Sequence, residues 1–205
     1  MDLIRKYFPD LSDHSAEQLS MLWDLYQFWN RKINVVSRKD IDALYEHHVL
    51  HSLALLKVVG FKPETTILDV GTGGGFPGIP LAIMNPGIEF LLIDGISKKI
   101  RVVREVIQAI GLQNTQARPV RAENLQDQFH YIVCRAVTSL PRFYGYVHKN
   151  LIKQKEEDHY GIYCLKGGDL NDELNRFPEK FRVFNISDFF EEAFFKTKKI
   201  VFIPA

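Results

Sequence analysis

Sixteen residues, Leu68–Ile83 (LDVGTGGGFPGIPLAI), hold five glycines and two prolines and follow directly on the β-rich run TTILDVG. A strand must end there in a turn that side chains would obstruct. Glycine accepts positive φ and lets a ligand touch the backbone with no Cβ in the way. Pro77 lacks an amide hydrogen and has a preset φ, which suits the first turn of a following helix. Downstream, IEFLLIDG (88–95) reads as a second strand and SKKIRVVREVIQAIGL (97–112) as an amphipathic helix ending near Gly111. TQARPVRA, FHYIVCRA, YGIYCLKG, FRVFNIS and KKIVFIPA supply further strands, with helical segments near 139–152 and 169–177. Such repetition predicts an α/β fold, a mostly parallel seven-stranded sheet covered by helices on both faces. The last two strands have no helix between them and are expected to form an antiparallel hairpin at one edge.

The first sixty residues read differently. Ser12 to Asn34 opens with a capping-box match, Ser15 with Gln18, and carries Leu19, Leu22, Trp23, Tyr26, Trp29 and Ile33 at helical spacing. A second helix is expected over Ile41 to Val59. This pair cannot bury its stripes alone, so residues 1–60 are expected to pack as a helical extension on a core of residues 61–205, with VGFKPETT at the boundary. The chain of 205 residues is 46% hydrophobic, which excludes disorder. Cys134 and Cys164 are far apart with no C-x-x-C, which excludes a disulfide framework and a cysteine zinc site. MDLIRKYFPD lacks the apolar region of a signal peptide, and no run approaches the ~20 apolar residues of a membrane span. A cytoplasmic protein without membrane contact is expected. The net charge of +1 does not announce nucleic-acid binding, which would need local patches.

In an open parallel sheet, ligands bind beyond the carboxyl ends of the strands. Gly73, Gly75 and Gly78 satisfy G-x-G-x-x-G, so a nicotinamide dinucleotide must be weighed. Asp69, two residues before Gly71, argues against it. A carboxylate is unhelpful beside a pyrophosphate but suits the ammonium of S-adenosylmethionine, which carries no phosphate. Asp94, at the end of the next strand, can accept from ribose hydroxyls in either case. A purely structural turn is the bland alternative. The adenosyl reading fits the charges best.

DVGTGGGFPGIPLAI resembles the signature of the glucose-inhibited division protein B family, bacterial methyltransferases of small-subunit ribosomal RNA. The likeness extends in order through WNRKINVVSR, LLIDGISKKIRVVREV, RAENL, CRAVTSL and LKG. It implies a Rossmann-like class I methyltransferase that uses S-adenosylmethionine to methylate N7 of one guanine in the decoding-region loop of 16S rRNA, acting on the 30S subunit or an assembly intermediate as a monomer. It also implies that Gly71 and Phe76 belong to the cofactor loop, that Asp94 holds the ribose, that Ala122 and Glu123 meet the adenine, and that Arg135 closes the pocket. The family's His-x-x-Asp-Ser stands here as HVLHS, with His51 in place of the aspartate.

Guanine N7 carries a lone pair and no proton, so its methylation needs positioning and a suitable field, not a base. The sequence accords with that. No Asn/Asp-Pro-Pro-aromatic motif follows the fourth strand, and no Pro-Cys marks a nucleophile. Cys134 and Cys164 read as buried strand residues. His47 and His51 have helical spacing but no third ligand, so no metal is expected; His48 reads as structural or as an RNA-side residue. Lys166, at the end of the fifth strand, is the basic residue expected beside the acceptor, in a positioning role. Candidate phosphate contacts are Arg31, Lys32, Arg38 and Lys39; Lys98, Lys99, Arg101 and Arg104; and Arg118, Arg121, Arg142, Lys149, Lys153 and Lys155. Three other readings stay open: another methyl acceptor, a non-catalytic adenosyl-binding module, and a nicotinamide oxidoreductase.

Overall fold

The computed structural model describes residues 1–153 and 159–205. Seven strands form one sheet in the order β3-β2-β1-β4-β5-β7-β6. They are β1 (Thr66–Val70), β2 (Glu89–Ile93), β3 (Thr115–Arg118), β4 (Tyr131–Arg135), β5 (Gly161–Gly167), β6 (Arg182–Asn185) and β7 (Lys198–Pro204). The first five are parallel, and β7 runs antiparallel to both β5 and β6. The expected edge hairpin is present, with its second strand inserted against β5 and its first left outermost. Composition follows position: β1, flanked on both sides, is buried along Ile67–Val70, whereas the edge strand β3 alternates buried and exposed residues.

Strand alternation splits the interior into two layers. Ile67, Leu92, Val133, Leu165 and Ile200 face a core shared with the N-terminal helices, α4 (Gly78–Met84) and α5 (Ser97–Ala109). Leu68, Ile93, Cys134, Cys164 and Val201 face the other way, onto α6 (Leu140–Val147) and Leu170 before α7 (Asn171–Asn175). Cys134 and Cys164 are both fully buried, side by side on β4 and β5 with their sulfurs 3.2 Å apart. Burial pushes the Cys134 thiol well up, so it packs as a small hydrophobe.

The N-terminal segment comprises α1 (Asp2–Tyr7) and α2 (Asp13–Asn30), followed by a helical run from Ile41 to Lys57. The cap of α2 is Ser12, whose Oγ accepts from Ser15 N–H at 3.1 Å, not the expected Ser15–Gln18 box. Gln18 is buried instead and donates to the Ile110 carbonyl of the segment after α5. Leu19, Leu22 and Tyr26 form the stripe of α2 that enters the core. The second helix departs from the expected 3.6-residue winding. A 3-10 turn (Ile41–Ala43) leads into a π-helix (Leu44–Leu50), then an α turn, α3 (His51–Leu53), and a closing 3-10 turn (Ala54–Lys57). Apolar periodicity reports which face is buried and is insensitive to such rewinding. π-turns recur at functional sites, and this one carries His47 and His48.

Between α2 and that run, the buried Asn30 shapes the connection. Its Oδ1 accepts from Val35 N–H at 2.8 Å and from Val36 N–H at 2.9 Å. Truncation leaves two backbone donors without an acceptor. Asn30→Ala is expected to lower unfolding stability by about 2 kcal/mol, read as a reduced urea midpoint at unchanged m-value; an unchanged midpoint would show that the loop does not depend on this residue.

Candidate functional site

The glycine segment leaves β1 and enters α4 around one carboxylate. Asp69 is fully buried, and its Oδ2 accepts from Thr72 Oγ1 at 2.5 Å and from Gly78 N–H at 2.9 Å. It therefore ties the two ends of the turn together. Parity explains the placement: Asp69 lies on the same face of β1 as Ile67, under α4, while Leu68 and Val70 face the other layer. Asp69 thus does not line the cleft, contrary to the expected contact with a ligand ammonium. Burial raises its carboxyl to about 7 despite the two donors. On the other side of the loop, the Tyr26 hydroxyl donates to the Gly74 carbonyl, joining α2 to the turn.

Beyond the carboxyl ends of β1 to β4 lies a cleft lined by Gly71, Asp94, Ile96, Arg121, Ala122, Glu123, Val137, Thr138, Phe143 and Tyr146. Its volume is about 340 Å³. Asp94 is fixed by backbone: Gly73 N–H donates to its Oδ2 at 3.1 Å and Ile96 N–H to its Oδ1 at 2.8 Å. Each oxygen keeps lone-pair capacity for a further donor. Gly71 has φ +68°, and a Cβ there would meet Val137 Cγ1 at 2.8 Å. Ala122 and Glu123 form a short 3-10 turn, with Ala122 buried and Glu123 exposed. Lys149 Nζ donates to the Glu123 carbonyl at 2.7 Å. Of the residues expected around the cofactor, Gly71, Asp94, Ala122 and Glu123 line this cleft, and Gly73 adjoins it through Asp94. Phe76 does not: its ring is buried between Tyr26 (4.9 Å) and His48 (5.2 Å), on the side of the extension.

A second cavity, of about 540 Å³, adjoins the first and shares Val137 with it. Its walls come from three places far apart in sequence: Asp40, His47, His48 and His51; Arg135 with Ala136; and Lys166, Glu173, Phe194 and Lys198. Ala136 sits in the left-handed region at φ +51°, a backbone strain of the kind that gathers at functional sites. Arg135, expected to close the cofactor pocket, lines this cavity and not the first cleft; Lys166, expected beside the acceptor, lines it too, and neither is free. Arg135 donates to the His47 carbonyl at 3.1 Å and lies 2.8 Å from His48 Nδ1, with its guanidinium 5.2 Å from the Phe76 ring. Burial lowers it to about 10, so it remains charged at neutral pH. Lys166, of opposite parity, donates to the Thr138 carbonyl and to Glu173 Oε1, each at 2.9 Å. Glu173 also accepts from Leu140 N–H at the start of α6.

The histidines divide their work. His47 Nδ1 is 3.1 Å from Asp40 Oδ1, and its ring stacks on Phe194 at 3.9 Å. His51, at the family's aspartate position, is buried edge-on against Phe194 and Phe195, and burial holds it well below the usual imidazole range. Burial, with Arg135 adding to it, lowers His48 to about 3. Among the described residues, no group of three or more His, Cys, Asp or Glu is gathered as metal ligands would be. Sequence reasoning missed Asp40, Val137, Glu173 and Phe194, which carry no local motif and acquire their positions from the sheet order.

The basic candidates scatter. Arg31 and Arg38 line one groove with Gln27, Asn30 and Ile41, and Lys32 Nζ lies 3.8 Å from the centroid of the exposed Phe28 ring. Arg104 is taken up by the Ala117 carbonyl, and Arg118 pairs with Asp127 at the far edge. Lys155 lies outside the described residues. No helix is long and apolar enough among the described residues to cross a membrane.

A protein-family model described as rRNA small subunit methyltransferase G matches residues 15–201. A ribosomal RNA small subunit methyltransferase G of Flavobacterium johnsoniae is 53% identical over 205 residues, covering 100% of this chain and 98% of that protein. One of Bacteroides thetaiotaomicron is 51% identical, covering 98% of each. A crystal structure of a SAM-dependent methyltransferase from Aquifex aeolicus superimposes with a TM-score of 0.59 at 17% identity, covering 82% of this chain and 98% of that one; it speaks for the fold.

The Asp69 carboxyl yields a signed expectation. Its folded pKa of about 7 exceeds the ordinary carboxyl value of 3.8, so between those limits the folded state holds the proton more tightly than the unfolded state. Stability from this group is then present below pH 4 and lost as pH rises toward 7. Asp69→Asn keeps an acceptor for Thr72 and Gly78 but cannot ionise. Its stability relative to wild type should rise from pH 4 to pH 7 and level off above, followed by denaturant unfolding at each pH. A relative stability that falls over that range would mean a depressed carboxyl.

Proposed function

Because the chain belongs to the rRNA small subunit methyltransferase G family, we propose that it methylates N7 of one guanine in the decoding-region loop of 16S rRNA, in the cytoplasm where that RNA is assembled. The observation that supports this most directly is the pair of adjoining compartments divided at Val137. One has the features of an adenosyl site and the other those of a site for an acceptor base. A single chain supplies both, so the reading needs no second copy.

The first compartment fits S-adenosylmethionine on its own terms. Asp94 offers unused carboxylate capacity to ribose hydroxyls, the Ala122–Glu123 turn lines the same cleft within reach of an adenine, and Gly71 lets Val137 pack where a Cβ would clash. When bound, S-adenosylmethionine supplies a methyl group on a positively charged sulfur. The chain's own task is then positional. Tyr26 and Asp69 fix the glycine turn from opposite sides. Arg135, anchored to His47 and His48, and Lys166, anchored to Thr138 and Glu173, form opposed walls between which a flat base can enter from an unstacked loop. Because N7 has no proton to lose, these residues hold the acceptor in line and no group need remove one.

The deciding experiment is methyl transfer from labelled S-adenosylmethionine to small subunits from cells lacking the gene, with the RNA digested to nucleosides and weighed. One equivalent of 7-methylguanosine is expected; a different methylated nucleoside, or none, would overturn the N7 assignment. For the first compartment, Asp94→Ala should weaken S-adenosylhomocysteine about 100-fold by calorimetry, from the loss of charge-assisted hydrogen bonds. Unchanged affinity would mean that the ribose lies elsewhere.

A further inference from the structure

The second cavity is lined by a hydrogen-bond donor that has no acceptor among the described residues. Arg135 Nη2 lies 2.8 Å from His48 Nδ1. A guanidinium can only donate, so Nδ1 carries the lone pair and the ring proton sits on Nε2. Burial and the adjacent guanidinium keep the ring neutral, which preserves that tautomer. Nε2 is buried and has no partner among the described residues. A buried N–H without an acceptor is costly and uncommon. His51 Nε2 is also buried without a partner among the described residues, but the hydrogen bond from His51 to the His47 backbone takes its ring proton, which leaves that Nε2 an acceptor. Lys166 is committed to Thr138 and Glu173, and Lys198 lies over the Phe194 ring at 4.5 Å.

His48 lines this cavity, and Arg135, which holds it, is followed through Ala136 by Val137, the residue the cavity shares with the first cleft. The base edge that enters there is the one bearing N7. On guanine, N7 is flanked by O6, a second acceptor; on adenine, by the N6 amino group, a donor. We infer that the His48 Nε2–H donates to O6 of the acceptor guanine, selecting guanine over adenine and turning N7 toward the methyl group. Arg135 acts through His48 as its positioning residue. This rests on the function proposed above and adds to it the residue that reads the base.

The test uses small subunits assembled on ligated RNA with guanine, 2-aminopurine (no O6) or hypoxanthine (O6 kept, no amino group) at the target position. Wild type, His48→Leu and His48→Gln are compared by kcat/KM, with S-adenosylhomocysteine affinity measured for each. In wild type, loss of O6 should cost about 10- to 100-fold, the worth of one specific base contact. In His48→Leu the guanine-to-2-aminopurine ratio should fall at least about tenfold below the wild-type ratio, which removes any difference in intrinsic N7 reactivity from the comparison. Hypoxanthine should follow guanine in both proteins. His48→Gln, whose amide can accept from Arg135 and still donate, should restore much of the wild-type ratio. Should His48→Leu not fold, His48→Phe keeps a ring against Phe76 and carries the same reading. Equal ratios in wild type and the donor-less variant would overturn the role of His48. Failure of wild type to form 7-methylguanosine on guanine-bearing RNA would instead overturn the proposed function itself.

Discussion

Arg135 is a partly buried cation at the end of a central strand, and the arrangement around it follows from the need to satisfy its charge. An isolated guanidinium in an apolar interior would be prohibitively unstable, so it must be hydrogen-bonded and accompanied by negative potential. The hydrogen bonds come from the extension, at the His47 carbonyl and His48 Nδ1. The favourable field comes first from Asp69, beneath the glycine turn, with Tyr26 and Asp40 following. One side chain thereby couples three parts of the molecule: β4, the π-helical segment and the cofactor turn. The extension is therefore part of the site. Its apolar residues, from Ile4 to Val59, share one continuous core with β1, β2, β4 and β5.

The glycine turn depends on the same logic applied to an anion. Asp69 receives one donor from each end of the turn, so a five-glycine segment with little conformational preference acquires a defined shape. Gly78 must be glycine for a related reason: a Cβ there would lie 2.7 Å from both Asp69 Oδ2 and Leu92 Cγ. The carboxylate and the helix start are packed too closely to admit a side chain.

How much of this was legible in the sequence depended on whether a signal was local. Strand–helix alternation, the edge hairpin, the buried cysteines and the turn at Gly71–Gly78 all leave marks within a few residues. Asp94, Ala122 and Glu123 come together on the first cleft because each follows a strand whose position in the sheet is fixed by topology. Asp69 was expected beside a ligand ammonium although parity was available to place it beneath α4. It shares a face with Ile67, and that face is covered by α4. Parity likewise sends Arg135 toward the extension and Lys166 toward Glu173. What parity cannot supply is the partner, since Glu173, Asp40 and Phe194 reach the cavity from separate segments. The rewinding of the His47–His48 segment was also invisible, because a broad apolar face reads alike in α and π geometry.

The charge composition of the second cavity bears on the chemistry it can host. Its walls carry Arg135, Lys166 and Lys198 against Asp40, Asp169 and Glu173, three cations and three anions, with His48 and His51 held neutral by burial. Methylation at a ring nitrogen moves a positive charge from sulfur to the acceptor without creating or destroying one. A strongly anionic cavity would favour the product and hinder its release. A strongly cationic one would oppose the transfer. A balanced cavity does neither, and on the function proposed above it leaves the rate to alignment across Val137. That is consistent with walls whose charged groups are already paired with protein: fixed dipoles and committed ion pairs reorganise little as charge moves, which is the condition under which positioning is most effective.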